Sequence, residues 1–204
     1  DGGKLMIELC DINKSYQDGK NVIEVIRGLS LKIENGEIVS LLGRSGCGKS
    51  TLLHILGGIE KFDSGKYIFD GVDMESLSAE KLAKLRAEKI GFVFQSYFLI
   101  KSLDCLSNVE LPLGYSGVGP KERRERAMAA LELVEMSDYA KRNVTKLSGG
   151  QQQRIAIARA IVTSPSLILA DEPTGNLDPE TADRTIRLLV GLAKKSSSTL
   201  VVVT

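Results

Sequence analysis

Gly43-Arg44-Ser45-Gly46-Cys47-Gly48-Lys49-Ser50 decides the fold, because of what lies on either side of it. Upstream, Asn35-Gly36 supplies a turn before the apolar run Ile38 to Leu42, which reads as a buried strand. Downstream, Leu52, Leu53 and Leu56 recur at helical spacing until Gly57-Gly58 stops the helix. The eight residues fit G-x-x-x-x-G-K-[ST], and strand, loop and helix in that order are the context this pattern requires. Its glycines let successive backbone N–H groups curl around phosphates, and the helix N-terminus adds partial positive charge. Lys49 can then reach the β and γ phosphates, and Ser50 can hold Mg²⁺.

Two further stretches carry chemistry. Leu167 to Ala170 is an apolar strand delivering Asp171 and Glu172 at its end, where parallel sheets bind their ligands. Asp171 is suited to the shell of a metal and Glu172 to polarising an attacking water, a division that phosphoryl transfer needs. By itself an apolar strand ending in two acids is commonplace; the phosphate loop gives it meaning. Leu147-Ser148-Gly149-Gly150-Gln151 places a Ser-Gly-Gly turn directly before a helix, a second anion site in the same domain. One chain needs only one, so the surplus points to the nucleotide of another copy and a head-to-tail pair with two ATP in the interface. The competing reading is a capped helix start with flexible glycines.

Outward from these motifs, Met6 to Ile12 alternates as a half-buried strand, and Val22 to Ile33 is β-rich. Residues 1 to 5 read as an overhang before a natural start at Met6. Tyr67 to Phe69 and Ile90 to Phe94 are short strands around a helix over Ala79 to Glu88. Lys121 to Glu135 is helical, with Ala127, Ala130, Leu131 and Val134 on one face and mixed charge on the other. A helix through Ile155, Ala158 and Ile161 ends before Pro165, Asp178-Pro179 caps another, and Thr199 to Thr204 begins one more buried strand.

Composition narrows the function classes. In 204 residues, 43% hydrophobic and 26% charged side chains exclude a disordered or fibrous chain. With 27 basic against 26 acidic residues, a formal charge of +1 supplies no field for gripping a polyanion, so nucleic acid is not an expected partner. No apolar run approaches the roughly 20 residues that cross a bilayer. Cys10, Cys47 and Cys105, odd in number and far apart, fit reduced thiols and a cytoplasmic setting.

From about Met6 to Thr204 these motifs, in this order, resemble the nucleotide-binding subunits of ATP-binding-cassette transporters. The resemblance implies an α/β fold: a P-loop core with a mainly parallel sheet, an N-terminal antiparallel β subdomain and an inserted small helical subdomain. Residues 1–204 would form one domain, unfinished at its C-terminus, with 6–95 and 152–204 as catalytic core and 96–151 as helical lobe. It implies ATP and Mg²⁺, held by Gly43, Ser45, Gly46, Cys47, Gly48, Lys49, Ser50 and Thr51, with Tyr16 stacked on adenine. Ser148, Gly149, Gly150, Gln151 and Asp178 would meet the nucleotide across a dimer, in which Asn176-Leu177-Asp178 crosses to the other copy. Ser50, Gln95 and Asp171 would serve the metal, and Glu172, Lys49 and Gln95 the reaction.

The stretches Asp171 to Asp178, Gly91 to Gln95 and Asn108 to Leu113 look most like the branch for lipoprotein release, macrolide export and antimicrobial-peptide resistance. The implied partners are a second copy and a membrane permease that holds the subunit at the cytoplasmic face. Two other classes share the motifs. One is the mechanical ATPases of DNA repair, chromosome organisation or translation, which insert far more than the about fifty residues between Gln95 and Leu147. The other is subunits of membrane signalling or cell-division complexes that transport nothing.

Some positions keep two readings. Tyr16 is an adenine platform or a surface aromatic near a turn. Tyr97 to Ile100 line a groove for a permease helix or pack the core, and exposure would favour docking. Arg44 and Cys47 stand where the branch often has proline and serine; backbone amides do the cradling, so binding should survive, and Cys47 should be open to alkylation. The chain ends one residue before the family's switch histidine, so the expectation is a longer parent chain or poor hydrolysis. His54 reads as a packing or surface residue.

Overall fold

Along the chain the elements are β1 (Leu5–Asp18), β2 (Asn21–Glu34), β3 (Ile38–Leu41), α1 (Lys49–Leu56), β4 (Ser64–Phe69), β5 (Val72–Asp73), α2 (Ala79–Lys89), β6 (Ile90–Phe94), α3 (Cys105–Tyr115), α4 (Pro120–Leu133), α5 (Gly149–Ile161), β7 (Leu167–Asp171), α6 (Pro179–Ser196) and β8 (Thr199–Val203). The structure is a computed structural model and describes residues 4–19, 21–44 and 46–204. The strands form an antiparallel sheet in the order β2-β1-β4-β5 and a parallel sheet in the order β3-β8-β7-β6.

Register in the parallel sheet positions the site. Leu41 pairs with Val203, Val203 with Asp171, and Asp171 with Phe94. Four strand ends therefore align at one edge, and the chain leaves that edge as the phosphate loop after β3, as Glu172 after β7 and as Gln95 after β6. β7 and β8 are buried on both faces, as central parallel strands should be. Alternation sorts their side chains. Leu167, Leu169, Val201 and Val203 pack with α1 and the antiparallel sheet, whereas Ile168, Ala170, Leu200 and Val202 pack with α3, α4, α5 and α6. The buried Tyr67 hydroxyl donates to Leu56 O at 2.7 Å and fixes the far end of α1.

Two expectations change and one helix is added. β1 runs on to Asp18 instead of stopping at Ile12; Asp11 takes φ 55° and the register shifts around it, so the apolar alternation breaks while the pairing with β2 continues. Residues 1 to 5 are not all overhang. Leu5 opens β1 and Lys4 bridges Asp70 at 2.6 Å; residues 1 to 3 lie outside the described residues. Finally, α3 was not legible as a helix of its own, because Pro112 and Gly114 interrupt its propensity. It forms because Asp104 caps it, accepting from Ser107 N at 2.7 Å, and because Cys105, Leu106, Val109 and Leu113 enter the core.

Candidate functional site

The phosphate loop leaves β3 at Leu41 and enters α1 at Lys49, with Gly43, Gly46, Cys47 and Gly48 between them; Ser45 lies outside the described residues. Gly48 is the N-cap of α1 at φ 93°, and a Cβ there would come within 2.7 Å of Val25 Cγ1, so β2 closes the loop from below. That close approach and the positive φ together demand glycine. Lys49 Nζ donates to Gly43 O at 2.7 Å and to Arg44 O at 3.0 Å, which puts the ammonium in the mouth of the loop. Ser50 Oγ donates to Asp171 Oδ1 at 3.0 Å, joining α1 to the end of β7, and Thr51 sits half-buried in the same helical turn. A hydroxyl and a carboxylate in contact beside a phosphate loop are the hard oxygen donors that Mg²⁺ takes, so the residues present fit the metal.

Glu172 follows directly at φ 42°, its N–H donating to Val203 O at 3.0 Å. Gln95 meets the same turn from β6: Asn176 Nδ2 donates to Gln95 O at 3.0 Å, and Gln95 Nε2 to Asn176 Oδ1 at 3.4 Å. A Cβ on Gly175 would stand 2.5 Å from Gln95 Nε2, so this contact needs glycine. Lys49, Ser50, Gln95, Asp171 and Glu172 are thus gathered along one sheet edge.

Ser148 to Gln151 lie in a different place. They line a 340 Å³ cavity with Asn176, Leu177 and Asp178, and the phosphate loop is not part of its wall. Ser148 Oγ accepts from Gln151 N at 3.4 Å and Gln151 Oε1 accepts from Ser148 N at 3.0 Å, so both side chains cap α5. The cap leaves the Ser148 hydroxyl proton free to donate. Asp178 caps α6, accepting from Thr181 N at 3.0 Å, and hydrogen bonds from the Thr181 side chain and backbone hold its carboxyl below the usual range. Tyr16 stands on β1, 40% exposed, with Lys14 Nζ 4.8 Å from its ring centroid on one face.

After Gln95 the chain alternates: Tyr97 and Leu99 are half-buried, Phe98 and Ile100 exposed. Tyr97 and Phe98 hold φ of 59° and 45° because Arg159 of α5 donates to both carbonyls, at 2.6 and 2.5 Å. The guanidinium is half-buried there, and burial lowers its pKa. Phe98 meets Phe94 edge-on at 5.0 Å and, 64% exposed, borders a 900 Å³ groove with Ile59, Leu111 and Tyr115. The Arg159 contacts escaped the sequence reading. A lone arginine in the apolar stretch Ile155 to Ile161 was the available signal. His54 is half-buried on α1, its ring centroid 6.5 Å from that of Phe94.

A family model described as ABC transporter matches residues 26–175. A protein of Thermotoga maritima, described as an uncharacterized ABC transporter ATP-binding protein, is 48% identical over 201 residues, 98% of this chain and 86% of its own length. The macrolide export ATP-binding/permease protein MacB of Syntrophobacter fumaroxidans is 45% identical over 98% of this chain, which spans 28% of MacB. Among solved structures, the dimeric ATP-binding cassette MJ0796 of Methanocaldococcus jannaschii, in a post-hydrolysis state bound to ADP and Pi, superposes with a TM-score of 0.89. It is 42% identical, and the match covers 98% of this chain and 88% of that one.

Proposed function

The chain belongs to the ABC transporter family as an ATP-binding ATPase domain, and on that premise we propose that it is the motor of a membrane permease. Two copies close over two Mg·ATP, hydrolysis reopens them, and the cycle drives export or extraction of a lipophilic or peptide-like substrate. One observation carries this reading: the register that aligns Leu41, Val203, Asp171 and Phe94, so that phosphate loop, metal carboxylate, Glu172 and Gln95 face one place.

The chemistry is positioning and electrostatics. Lys49 turns from Gly43 O and Arg44 O to the β and γ phosphates. Ser50, Asp171 and Gln95 would hold Mg²⁺, which supplies neutralising charge at the phosphates. Glu172 orients the attacking water, and Tyr16 offers its open face to adenine. Ser148, through its remaining proton, and the Gly150 N–H reach the γ phosphate of the second copy, with Asp178 beside them. Residues 96–151 move as the helical lobe against a core of 6–95 and 152–204. Exposure of Phe98 and Tyr115 along the groove supports docking of a permease helix there, and a subunit so docked would sit at the cytoplasmic face. Among the described residues no helix is long and apolar enough to cross a membrane.

Sedimentation of the Glu172→Gln variant with and without Mg·ATP tests the reading. Conversion from monomer to dimer on adding ATP is expected; tight ATP binding by a species that stays monomeric would remove the role given to Ser148 and Gly150.

A further inference from the structure

Gln153, on α5, is fully buried, and its Nε2 donates to Pro173 O at 2.7 Å. Its Oε1 accepts nothing, alone among the buried side-chain nitrogens and oxygens of the described residues. An amide buried with one half unsatisfied is costly, and a methionine of similar length would fill the space without that cost. Packing therefore does not explain a glutamine here; the single bond to Pro173 does.

Pro173 follows Glu172, whose φ of 42° is disfavoured for any residue with a Cβ. Two bonds hold the Glu172 backbone itself, N–H to Val203 O and C=O from Gly175 N, each 3.0 Å. Pro173 has no N–H, so its carbonyl is the one main-chain polar group of that residue that can be held. Gln153 holds it, from a helix capped by Ser148 about one and a half turns earlier, with Gly150 about one turn before it.

We propose that Gln153 is a positioning residue for Glu172. Through Pro173 O it sets where the Glu172 carboxylate stands over the phosphate loop, and it ties that placement to the helix that meets the nucleotide of the second copy. The inference rests on the role of Glu172 given above.

Steady-state ATP hydrolysis and thermal melting of the parent, Q153M, E172Q and the double variant provide the test. Q153M is expected to melt no lower than the parent, to keep KM for Mg·ATP within about twofold, and to lose about tenfold or more in kcat through misplacement of Glu172. In the E172Q background the same change should cost nothing further, measured on the residual single-turnover rate. Q153E keeps the length and, protonated by burial, an O–H for Pro173 O, so it should recover to within about threefold of the parent. A kcat for Q153M within about twofold of the parent, or an equal factor lost in the E172Q background, overturns the proposal. If Q153M does not fold, Q153E decides: recovery supports positioning, and a larger loss at unchanged melting temperature overturns it. Undiminished hydrolysis by E172Q alone would instead overturn the role of Glu172, whatever happens at position 153.

Discussion

Lys49 holds two loop carbonyls, and in the proposed site an arriving phosphate would replace them. Replacing it with methionine removes a charge-assisted contact worth about 1.5–3 kcal/mol, and ATP affinity should fall by about 10- to 100-fold. Titration with a fluorescent ATP analogue measures this, and unchanged affinity would contradict the placement. Cys47 is exposed in the same loop, while Cys105 is buried with its Sγ donating to Arg142 O. A maleimide should modify Cys47 and block nucleotide binding, and Mg·ATP should slow the modification; equal rates with and without ATP, followed by mass spectrometry, would show that the loop is not where the phosphates sit. These residues were legible in advance because their neighbours in sequence are also their neighbours in space. Gln153 and Arg159 were not, since the carbonyls they hold lie 20 and about 60 positions away and only the fold brings them together.

Helix α5 is gripped along its length, at its start by its own cap and near its end by Arg159 on Tyr97 and Phe98. Arg159→Met leaves two carbonyls without their half-buried donor and frees two left-handed residues to relax, which should cost about 1–2 kcal/mol. Urea denaturation reads that loss directly, and a loss below about 0.5 kcal/mol would place the clamp among dispensable contacts. Helix α6 depends on its cap at pH values where Asp178 is charged. The folded-state pKa of Asp178 is lowered, so its contribution is complete above the ordinary carboxylate range and fades as pH falls through the lower folded value. Asp178→Ala should lower the melting temperature at neutral pH, whereas Asp178→Asn should keep most of the cap and weaken the acid limb of the profile. A melting profile for Asp178→Asn as steep in acid as the parent's would assign that limb to other carboxylates. The elements that resisted reading share a cause: α3 carries Pro112, and β1 bends at Asp11 where the alternation fails.

The two apolar clusters of the molecule meet in β7 and β8, each of which sends alternate side chains to both. Neither cluster can empty without unpacking the strands that line the other, so calorimetry should record a single unfolding transition, and two resolved transitions would separate the lobes energetically. Saturating ADP at about 100 times its dissociation constant should raise stability by about 2.7 kcal/mol in that same transition. At this scale strand–loop–helix and the acid-ending strand disclosed the parallel layer early, while the order β3-β8-β7-β6 had to come from pairing, because strands adjacent in space are far apart in the chain. That order also has a consequence for biosynthesis. Among the described residues β3 finds its sheet partner in β8 alone, and Gly36 N donates to Thr199 Oγ1 across 163 positions. At ordinary translation speeds the ribosome needs on the order of ten seconds to span such a gap. The nucleotide pocket is thus among the last parts of the molecule to mature on the ribosome, and a nascent chain stalled before Thr199 carries a phosphate loop whose supporting strand still lacks its neighbour.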